Sequence, residues 1–561
     1  MNTTVLIVGG GPVGLLAGIL LHKLGVDFLI VERRAGLHQA PQAHVISSRS
    51  LEICRTVGID HGAIRALGPD PMKARTVRWV DRLLGHDLGE ITMGGNPEDV
   101  VRMLTQSPTP TTNLSQDQFE QVLFAHLSGL LGTEPVKFAH QWESFVETAD
   151  GYVSTISTTD DTFEISSRYV LGADGAGSRV RKACGFEMVG PDNIQTFVTM
   201  HFTADLSEAL QGREGLLYWV MDNAVNGTFI AHDIDRGIWI YMKTVDEAEN
   251  LNPIDEKKFA GLLAEAIGAD VPHQLLSLDA WRMTSQISSG YRKNNVFLVG
   301  DAAHRFPPTG GIGMNTGFQD VHNLIWKIGM VEAGMDPAIF DTYELERKPV
   351  AETNAAQSFH NATRMIEVAV QLDVNGDRKV TKDDLEAVLD DPSRQQAVQA
   401  AIDAQAAHFN MAGLDLGVCY TGAGVIEAGP PPKSENPVSI YLPSTTPGAR
   451  LPHAPLEKDG SVISTLDLLP YDCYLVWAQS DSDELAAAVA ELAAEGTPVR
   501  LQRISSSEGI TPADDAFTNL FPDDEVLVVR PDGHIAALLP ADQAVTAIGD
   551  VLRRLWAAGG A

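Results

Sequence analysis

Short apolar runs alternate with glycine-rich turns at the start of the chain. The run Thr4–Val8 predicts a buried strand, and a second run, Val26–Val31, predicts another. Apolar residues at helical spacing between them, up to Leu24, predict a helix. A strand–helix–strand unit of this length is typical of a parallel sheet, so we expect an α/β fold.

The first turn has the spacing of the dinucleotide-binding fingerprint, Gly9-Gly10-Gly11-Pro12-Val13-Gly14. In that pattern Gly9 makes the turn, Gly11 lets the backbone approach a pyrophosphate, and Gly14 lets the helix pack on the strand. Glu32 ends the second strand, where a carboxylate can accept a hydrogen bond from a ribose hydroxyl. We therefore expect a Rossmann-like domain, with a purely structural glycine turn as the alternative.

A second glycine-rich loop follows the apolar run Val296–Val299, which predicts another strand. That strand delivers Asp301 to its end, and a Pro-Pro turn and a glycine-dense loop follow. The segment Val321–Met330 predicts a helix, whose N-terminus favours negative charge. Together these features suit a large cofactor with a ribityl chain and a pyrophosphate, whereas the alternative is an ordinary strand–loop–helix connection.

Residues 190–290 change character and are rich in predicted strands. These strands are Thr196–Thr203, Leu216–Met221, Gly227–His232 and Gly237–Lys243. A predicted helix, Glu256–Ile267, interrupts them. We expect a mainly antiparallel sheet, inserted in the α/β domain, that forms a wall of a substrate cavity. Tyr218 and Trp219 are candidates for lining that cavity.

The last part of the chain alternates strands and helices again. The predicted elements are strands at Asp472–Trp477, Val499–Ile504, Glu525–Val529 and His534–Leu539, and helices at Leu485–Ala494 and Ala541–Leu555. We expect four segments along the chain. Segments 1–189 and 291–415 form the two parts of the α/β domain, and the second part includes its long helices. Segment 190–290 forms the inserted sheet, and 416–561 forms a C-terminal domain.

Charge and cysteine content narrow the function classes. The chain has 561 residues, with 41 Lys and Arg against 74 Asp and Glu, a net charge of −33 that disfavours nucleic acid and anionic membranes as partners. The four cysteines, Cys54, Cys184, Cys419 and Cys473, form no C-x-x-C pair, which argues against a zinc site or a disulfide framework. We find no signal peptide or membrane span, so we expect a cytoplasmic protein.

An acidic segment between two predicted helices resembles an EF-hand calcium loop. Asp373, Asn375 and Asp377 supply oxygen atoms at positions 1, 3 and 5 of such a loop. Arg378 stands where glycine is expected at position 6, and Asp384 is shorter than the usual glutamate at position 12. We therefore expect a solvated acidic turn and no metal, with calcium binding as the alternative.

Three motifs taken together resemble the FAD-dependent aromatic hydroxylases, the class A flavoprotein monooxygenases. They are the first glycine turn with Glu32, the strand end Asp174-Gly175, and Gly300-Asp301 with its loop. The resemblance is closest to the phenol- and chlorophenol-hydroxylase branch, on the segments Pro41–His44 and Tyr343–Pro349. It extends to a C-terminal tail, Pro447–His453, that resembles the thioredoxin-like domain of that branch.

The resemblance implies an FAD- and NAD(P)H-dependent monooxygenase that hydroxylates a phenolic or other aromatic substrate through a flavin C4a-hydroperoxide. FAD would stay bound, whereas NADPH or NADH would bind transiently, since the chain has no second dinucleotide fingerprint. A homodimer is a further expectation from the family. Four alternatives stay open: an NAD-linked dehydrogenase, a non-catalytic flavin-binding protein, a polyketide-tailoring hydroxylase and a Baeyer–Villiger oxygenase.

The resemblance also implies roles for individual residues. The residues that it places at FAD are Gly9, Gly11, Pro12, Val13, Gly14, Glu32, Arg33, Gln116, Asp174, Asp301, Pro308, Gly311, Gly313, Met314 and Asn315. Among them, Glu32 would bind the adenosine ribose, with Arg33 beside it. Asp301 would meet the ribityl or pyrophosphate region, and Pro308 and the backbone of 311–315 would border the isoalloxazine ring. Asp174 lies in a motif associated with both FAD and NAD(P)H.

His44 is the candidate that would contact the substrate hydroxyl. It falls where the related branch carries a histidine, and a histidine can act as a base near neutral pH. The surrounding segment departs from the family pattern, because Gln42 replaces an arginine and Ser47-Ser48 replaces an Asn-Gln pair. A hydrogen-bonded structural histidine is the alternative. Tyr218 and Trp219 are the other candidate substrate contacts.

Overall fold

The computed structural model describes residues 1–94, 97–246, 249–373, 376, 379–422, 424–426, 430–479 and 481–557. Asn375 and Asp377 of the segment that resembles an EF-hand loop lie outside these residues, as does Arg378. Among the described residues, no group of three or more His, Cys, Asp or Glu side chains is placed to hold a metal ion. None of the helices in those ranges combines the length and apolarity needed to cross a membrane.

The N-terminal sheet has eight strands, and the α/β fold is confirmed. In spatial order, six of its strands are Arg292–Lys293, Val296–Leu298, Thr162–Gly172, Asn2–Val8, Phe28–Val31 and Val136–Lys137. The other two form a side branch: Gly151–Ser157 pairs with Thr162–Gly172, and Gln141–Thr148 pairs with Gly151–Ser157. The strands from Val296–Leu298 to Val136–Lys137 pair in parallel. Their carboxyl ends therefore meet at one edge, which carries Gly9, Glu32, Asp174 and Asp301.

Five helices pack in one core with the N-terminal sheet. They are Pro12–Lys23, Gln116–Leu131, Arg179–Cys184, Gly313–Glu332 and Asp341–Leu372. Gly313–Glu332 is longer than the segment Val321–Met330 that its apolar spacing predicts, because its first turn consists of small and polar residues. The helix is almost entirely buried, and its residue Gly317 lies so close to the first glycine turn that an added Cβ atom would lie 2.8 Å from Val13.

The central sheet has seven strands and is antiparallel except for one pair. Its spatial order is Gln274–Met283, Gln195–Thr203, Ile238–Val245, Gly227–Asp233, Leu217–Val220, Thr76–Val80 and Asp87–Thr92. The last two strands come from upstream of residue 190, and Thr76–Val80 pairs in parallel with Leu217–Val220. The helix Glu256–Ile267 has the predicted bounds and packs on one face of this sheet. The other face lies towards the carboxyl edge of the N-terminal sheet.

The C-terminal sheet has four strands in the order Val499–Arg503, Tyr474–Ala478, Glu525–Val529 and Ile535–Pro540. The first two are parallel and the other pairings are antiparallel. Helices Asp483–Ala494, Asp515–Leu520 and Ala541–Trp556 connect or follow these strands. The predicted alternation of strands and helices is thus present, whereas the description of this domain as thioredoxin-like stays a prediction.

Smaller elements join these layers. The short strands are Val45–Ile46 with Thr112–Asn113, Met188–Val189 with Gln286–Ser288 and His304–Arg305, and Pro455–Lys458 with Ser461–Ser464 and Ile510–Pro512. The remaining α-helices are Ser48–Thr56, His61–Leu67, Pro97–Gln106, Lys382–Leu389, Pro392–Asp403 and Ala412–Leu416.

A buried ion network joins the C-terminal domain to the helices of the N-terminal domain. Arg530 donates to both carboxylate oxygens of Glu346, at 2.6 and 2.9 Å, and to Asp532 at 2.6 Å. Lys327 donates to Glu346 at 2.8 Å. All four side chains are at most 1% exposed. Burial opposes ionisation of Glu346, but Arg530 and Lys327 outweigh it and lower the pKa of Glu346 to about 2.

Replacing Arg530 tests whether this network holds the domains together. Arg530→Met leaves two buried carboxylates with one cation fewer, so we expect a loss of about 3–5 kcal/mol of stability. The measurement is the unfolding midpoint in a denaturant. The matched control is Arg500→Met, which removes an exposed pair with Asp472 and is expected to cost at most about 1 kcal/mol. Equal effects of the two substitutions would contradict the assignment.

Candidate active site

A cavity of about 1360 Å³ lies between the carboxyl edge of the N-terminal sheet and the free face of the central sheet. Most of the residues predicted to hold a cofactor line it: Gly9, Gly11, Pro12, Val13, Glu32, Arg33, Gln116, Asp174, Asp301, Pro308, Gly311, Gly313, Met314 and Asn315. The predicted substrate contacts His44 and Trp219 line it as well. The structure therefore brings together groups that lie as far apart in sequence as Gly9 and Asn315.

Two helices direct their N-termini into the cavity without a capping side chain. Pro12–Lys23 is preceded by Gly11, and Gly313–Glu332 begins at Gly313. Neither helix has a side-chain hydrogen bond at its N-cap. Nothing lies within 4 Å of the position that a Cβ atom of Gly11 or Gly313 would take. First-turn N–H groups have no partner within their own helix, so both ends can bind an anion or a carbonyl oxygen.

Gly9 and Gly14 have a different role, because they permit close packing. Gly9 has a φ of +112°, and a Cβ atom there would lie 2.3 Å from the carbonyl oxygen of Ala173. A Cβ atom at Gly14 would lie 2.0 Å from the carbonyl oxygen of Gly9. Gly14, one of the predicted cofactor residues, does not line the cavity, so its role is to let the helix pack against the strand end.

Glu32 and Asp174 already accept hydrogen bonds from the protein. Glu32 accepts from the N–H groups of Gly10 and Arg34, at 2.9 and 2.8 Å. Burial opposes ionisation of Glu32, but these hydrogen bonds outweigh it and lower its pKa. Asp174 accepts from Ser178 Oγ at 2.5 Å and from the N–H groups of Arg179 and Val180, so it caps the helix Arg179–Cys184. The Asp174 carboxylate thus positions the strand end.

Asp301 is the carboxylate that the cavity leaves available. Its side chain is exposed to the cavity, and within the described ranges no hydrogen bond or ion pair engages it. Protein surrounds the cavity, and the resulting desolvation raises the pKa of Asp301, whereas the neighbouring His304 and Arg305 act in the opposite direction. His304 Nε2 donates a hydrogen bond to the buried Asp320 carboxylate at 2.7 Å, so His304 is part of the core.

Asn315 holds the loop containing His44 against the glycine loop. Its Nδ2 group donates to the carbonyl oxygens of Val45, at 3.0 Å, and Gly311, at 2.6 Å. Its Oδ1 atom accepts from Ser47 N at 3.0 Å and from Ser50 Oγ at 2.8 Å. The amide of Asn315 is therefore fully used within the protein, and it fixes the distance between the two loops.

The two predicted aromatic contacts lie on opposite faces of the central sheet. Trp219 lines the cavity. Tyr218 points into the core on the other side, where its hydroxyl donates to the carbonyl oxygen of Arg213 at 3.0 Å and its ring packs against Trp239. Adjacent residues of a strand face opposite ways, so only one of the pair can line the cavity. The prediction that Tyr218 contacts substrate is not supported by this position.

His44 contacts Asn113 beside the cavity. His44 Nδ1 lies 3.1 Å from Asn113 Oδ1, an acceptor, so this contact requires the proton on Nδ1. Nε2 of His44 has no hydrogen-bond partner in the described part of the chain and is the nitrogen available to a ligand. Burial lowers the pKa of His44, and the hydrogen bond to Asn113 opposes this only in part. His44 is thus a neutral base at neutral pH.

Two further histidines near His44 carry no sequence motif. The His232 ring packs edge-on against His44, with ring centroids 5.7 Å apart. Both of its ring nitrogens are buried without a partner in the described ranges, as is Nε2 of His201, which lines the cavity. Sequence reasoning missed Asn113, His201 and His232, since each lies in a strand without a local signature.

Comparison with known families decides the cofactor. Residues 2–358 match the family model described as FAD binding domain. Residues 444–558 match the model described as aromatic-ring hydroxylase, C-terminal. The chain is an FAD-dependent aromatic hydroxylase. Class A flavoprotein monooxygenase, the resemblance found on the three sequence motifs, is confirmed, and the NAD-linked dehydrogenase is excluded.

Relatives of this hydroxylase cover its whole length. It is 31% identical to aklavinone 12-hydroxylase RdmE of Streptomyces purpurascens, over 98% of each chain. It is 27% identical to 2,4-dichlorophenol 6-monooxygenase of Delftia acidovorans, over 95% of this chain and 94% of the relative. The crystal structure of the flavin-dependent monooxygenase PieE in complex with FAD and substrate has a TM-score of 0.91, with 28% identity and 99% coverage of both chains.

The hydroxylase has a site that fits FAD. Gly11 and Gly313 leave empty the space that any side chain would fill, and the helices behind them offer free N–H groups to a pyrophosphate and to a ring carbonyl. Asp301 also lines the cavity, and its carboxylate, which has no hydrogen bond or ion pair within the described ranges, would be available to a hydroxyl group of the cofactor. A cavity of this volume also leaves room for a second ligand, since sites for drug-sized molecules have about 300–1,000 Å³.

Adding one methyl group at Gly11 tests the pyrophosphate site. Gly11→Ala fits the ligand-free fold, but its Cβ atom enters the space required for close approach, so we expect FAD affinity to fall at least about tenfold, or about 1.4 kcal/mol. The measurement is a titration of the FAD-free protein with FAD. The control is Gly129→Ala on helix Gln116–Leu131, where a methyl group also meets nothing and lies outside the cavity lining. Unchanged affinity in Gly11→Ala would refute the site.

Proposed function

We propose that this hydroxylase inserts one oxygen atom of O2 into an aromatic ring that carries a hydroxyl group, using NADPH or NADH as reductant. The observation that carries the proposal is the position of His44, which lines the cavity that fits FAD and whose Nε2 has no hydrogen-bond partner among the described residues. FAD, when bound, supplies the electrons that activate O2. The chain supplies binding, orientation and control of one proton.

The proposal assigns the cavity residues in three groups. Gly9, Gly11, Pro12 and Val13 hold the pyrophosphate, with Gly14 packing behind them. Glu32, Arg33 and Gln116 bind the adenosine end, beside the strand end at Asp174. Asp301 binds the ribityl region, and Pro308, Gly311, Gly313, Met314 and Asn315 border the flavin ring.

His44 acts as the base in this proposal. A phenol becomes a stronger nucleophile when it loses its proton, and His44 Nε2 is positioned to accept that proton. The pKa of His44 is lowered, so the ring is neutral and ready to accept at neutral pH. Trp219 and the face of the central sheet hold the substrate ring and keep water away.

Two substrate sizes fit this chemistry. The relatives include a hydroxylase named for dichlorophenol and one named for aklavinone, at similar identity to this chain. The cavity volume favours the larger, polycyclic class, because about 1360 Å³ exceeds the about 300–1,000 Å³ of a site for one drug-sized ligand. We therefore propose a fused-ring phenol, such as a polyketide aromatic, as the first candidate and a single-ring phenol as the second.

The proposed base also bears on the Baeyer–Villiger alternative. A Baeyer–Villiger oxygenase does not need to remove a phenolic proton, so it has no need for a base at His44.

Three further expectations belong to the proposal. We propose that the chain acts in the cytoplasm and as a homodimer, as the resemblance implies. We also propose that 1–189, apart from two strands, and 291–415 form the FAD domain, and that 416–561 form a thioredoxin-like domain. The two strands, Thr76–Val80 and Asp87–Thr92, join 190–290 in the substrate wall. Limited proteolysis and sedimentation of the purified protein test these divisions and the dimer.

Substrate-dependent turnover tests the proposed reaction. The FAD-loaded protein is mixed with NADPH or NADH and with phenols of one to four fused rings. We expect NAD(P)H oxidation to accelerate with an accepted phenol and the product mass to rise by one oxygen atom. NAD(P)H oxidation that no phenol accelerates, or a product without added oxygen, would contradict the function.

Replacing His44 tests the base. His44→Gln keeps a polar side chain of similar size but cannot accept the proton, so we expect kcat/KM to fall about 10²–10⁴-fold. In the wild type, protonation of His44 removes the acceptor, and kcat/KM should fall as the pH drops below about 6.5, the ordinary histidine value. This acid limb should disappear in His44→Gln. A variant with wild-type activity and an unchanged acid limb would contradict the role.

A further inference from the structure

His44 and Asn113 are held together by a two-stranded ribbon. Strand Val45–Ile46 pairs with Thr112–Asn113, with Val45 opposite Asn113. The N–H group of Leu114 donates to the carbonyl oxygen of His44 at 2.8 Å, which fixes the backbone on both sides of the contact. The 3.1 Å distance between His44 Nδ1 and Asn113 Oδ1 is thus set by backbone pairing rather than by a mobile side chain.

The chemistry of Asn113 decides what happens to a proton that reaches His44. An amide oxygen accepts a hydrogen bond from Nδ1–H, but an amide does not take up the proton at neutral pH. A carboxylate at the same place would stabilise the charged ring and so raise the pKa of His44. The hydrogen bond therefore orients His44 and leads the proton no further.

The other groups around His44 also fail to carry the proton away. His232 packs against the ring, and burial together with His44 and His201 lowers the pKa of His232 well below its ordinary value. Burial lowers the pKa of His201 as well, with Asp117 acting in the opposite direction. In the part of the chain that the structure describes, no carboxylate hydrogen-bonds or pairs with His44.

We propose that His44 and Asn113 form a closed proton store, in which His44 takes the phenolic proton at Nε2, holds it inside the cavity and returns it to the product. Asn113 is a positioning residue, since it acts only through His44. The proposal rests on the proposed function, because it assumes a hydroxylated aromatic substrate.

The proton balance of the store is complete without any further group. When substrate binds, its O–H bond breaks, a bond between the proton and His44 Nε2 forms, and the electron pair stays on the phenolate oxygen. After one oxygen atom of O2 enters the ring, the ring carbon loses its hydrogen as a proton and aromaticity returns. That proton leaves with the second oxygen atom of O2 as water, with the electrons supplied by NAD(P)H. The product oxygen then takes the proton from His44 Nε2, and the histidine is neutral for the next cycle.

Proton release during ligand binding tests the store. The probe is 2-naphthol, which is protonated in neutral solution and whose phenolate absorbs at longer wavelength. FAD-loaded protein is mixed with 2-naphthol in unbuffered solution at neutral pH with an indicator dye. We expect the phenolate band to form with no proton released to solvent. The control ligand 2-methoxynaphthalene has no proton to give and should change neither signal.

Two outcomes of this measurement would overturn the store. A phenolate band accompanied by one released proton per bound ligand means that a relay leads out of the cavity. Absence of the phenolate band in the wild type means that His44 takes no proton. Turnover with a phenol, measured separately, decides the proposed function itself, so failure of the store and failure of the function are distinguishable.

Substitutions of Asn113 separate positioning from mere support of the fold. Asn113→Asp supplies a carboxylate to Nδ1–H and should shift the acid limb of the phenolate band to higher pH by about one unit or more. Asn113→Leu removes the acceptor and should weaken the phenolate band. In His232→Leu, binding of 2-naphthol should still release no proton to solvent. The control His126→Gln alters a histidine that bonds to Val57 outside the cavity lining and should change nothing. An Asn113→Asp variant with the wild-type pH profile would overturn the role of Asn113.

Discussion

Bare backbone at one edge of the N-terminal sheet is the constraint on which the rest of the molecule depends. Parallel strands deliver several chain segments to that edge, and glycine at Gly11 and Gly313 leaves the first turns of two helices open there. Because neither helix is capped by a side chain, its N–H groups remain available to FAD. Gly9, Gly14 and Gly317 allow the same elements to pack closely enough to form one crevice.

The rest of the chain keeps this edge in place and supplies a substrate wall. The central sheet presents one face to the cavity and buries the other under helix Glu256–Ile267. The ion network of Arg530, Glu346 and Lys327 connects the C-terminal domain to the helix that begins at Gly313. Asn315 ties that helix to the loop of His44. The C-terminal domain is thus linked through this helix to the loop of His44.

Much of the fold and the cofactor edge could be predicted from sequence, because glycine spacing and strand-end carboxylates are local signals. The helix Glu256–Ile267 and the strand Glu525–Val529 have the predicted bounds. Strand Gln274–Met283 escaped prediction because, at an exposed edge of the central sheet, its apolar residues do not alternate regularly. The choice between Tyr218 and Trp219 was undecidable, since both are aromatic and both faces of the strand are covered. Asn113 depends on a pairing across 69 residues, which no local pattern reports.

The central claim is that one elongated crevice binds one FAD per chain. Titration of the FAD-free protein with FAD, followed by quenching of flavin fluorescence, tests it most directly. The account predicts saturation at one FAD per chain, with a yellow protein that retains the cofactor through gel filtration. A protein that stays colourless, with no saturable quenching at any FAD concentration, would contradict it.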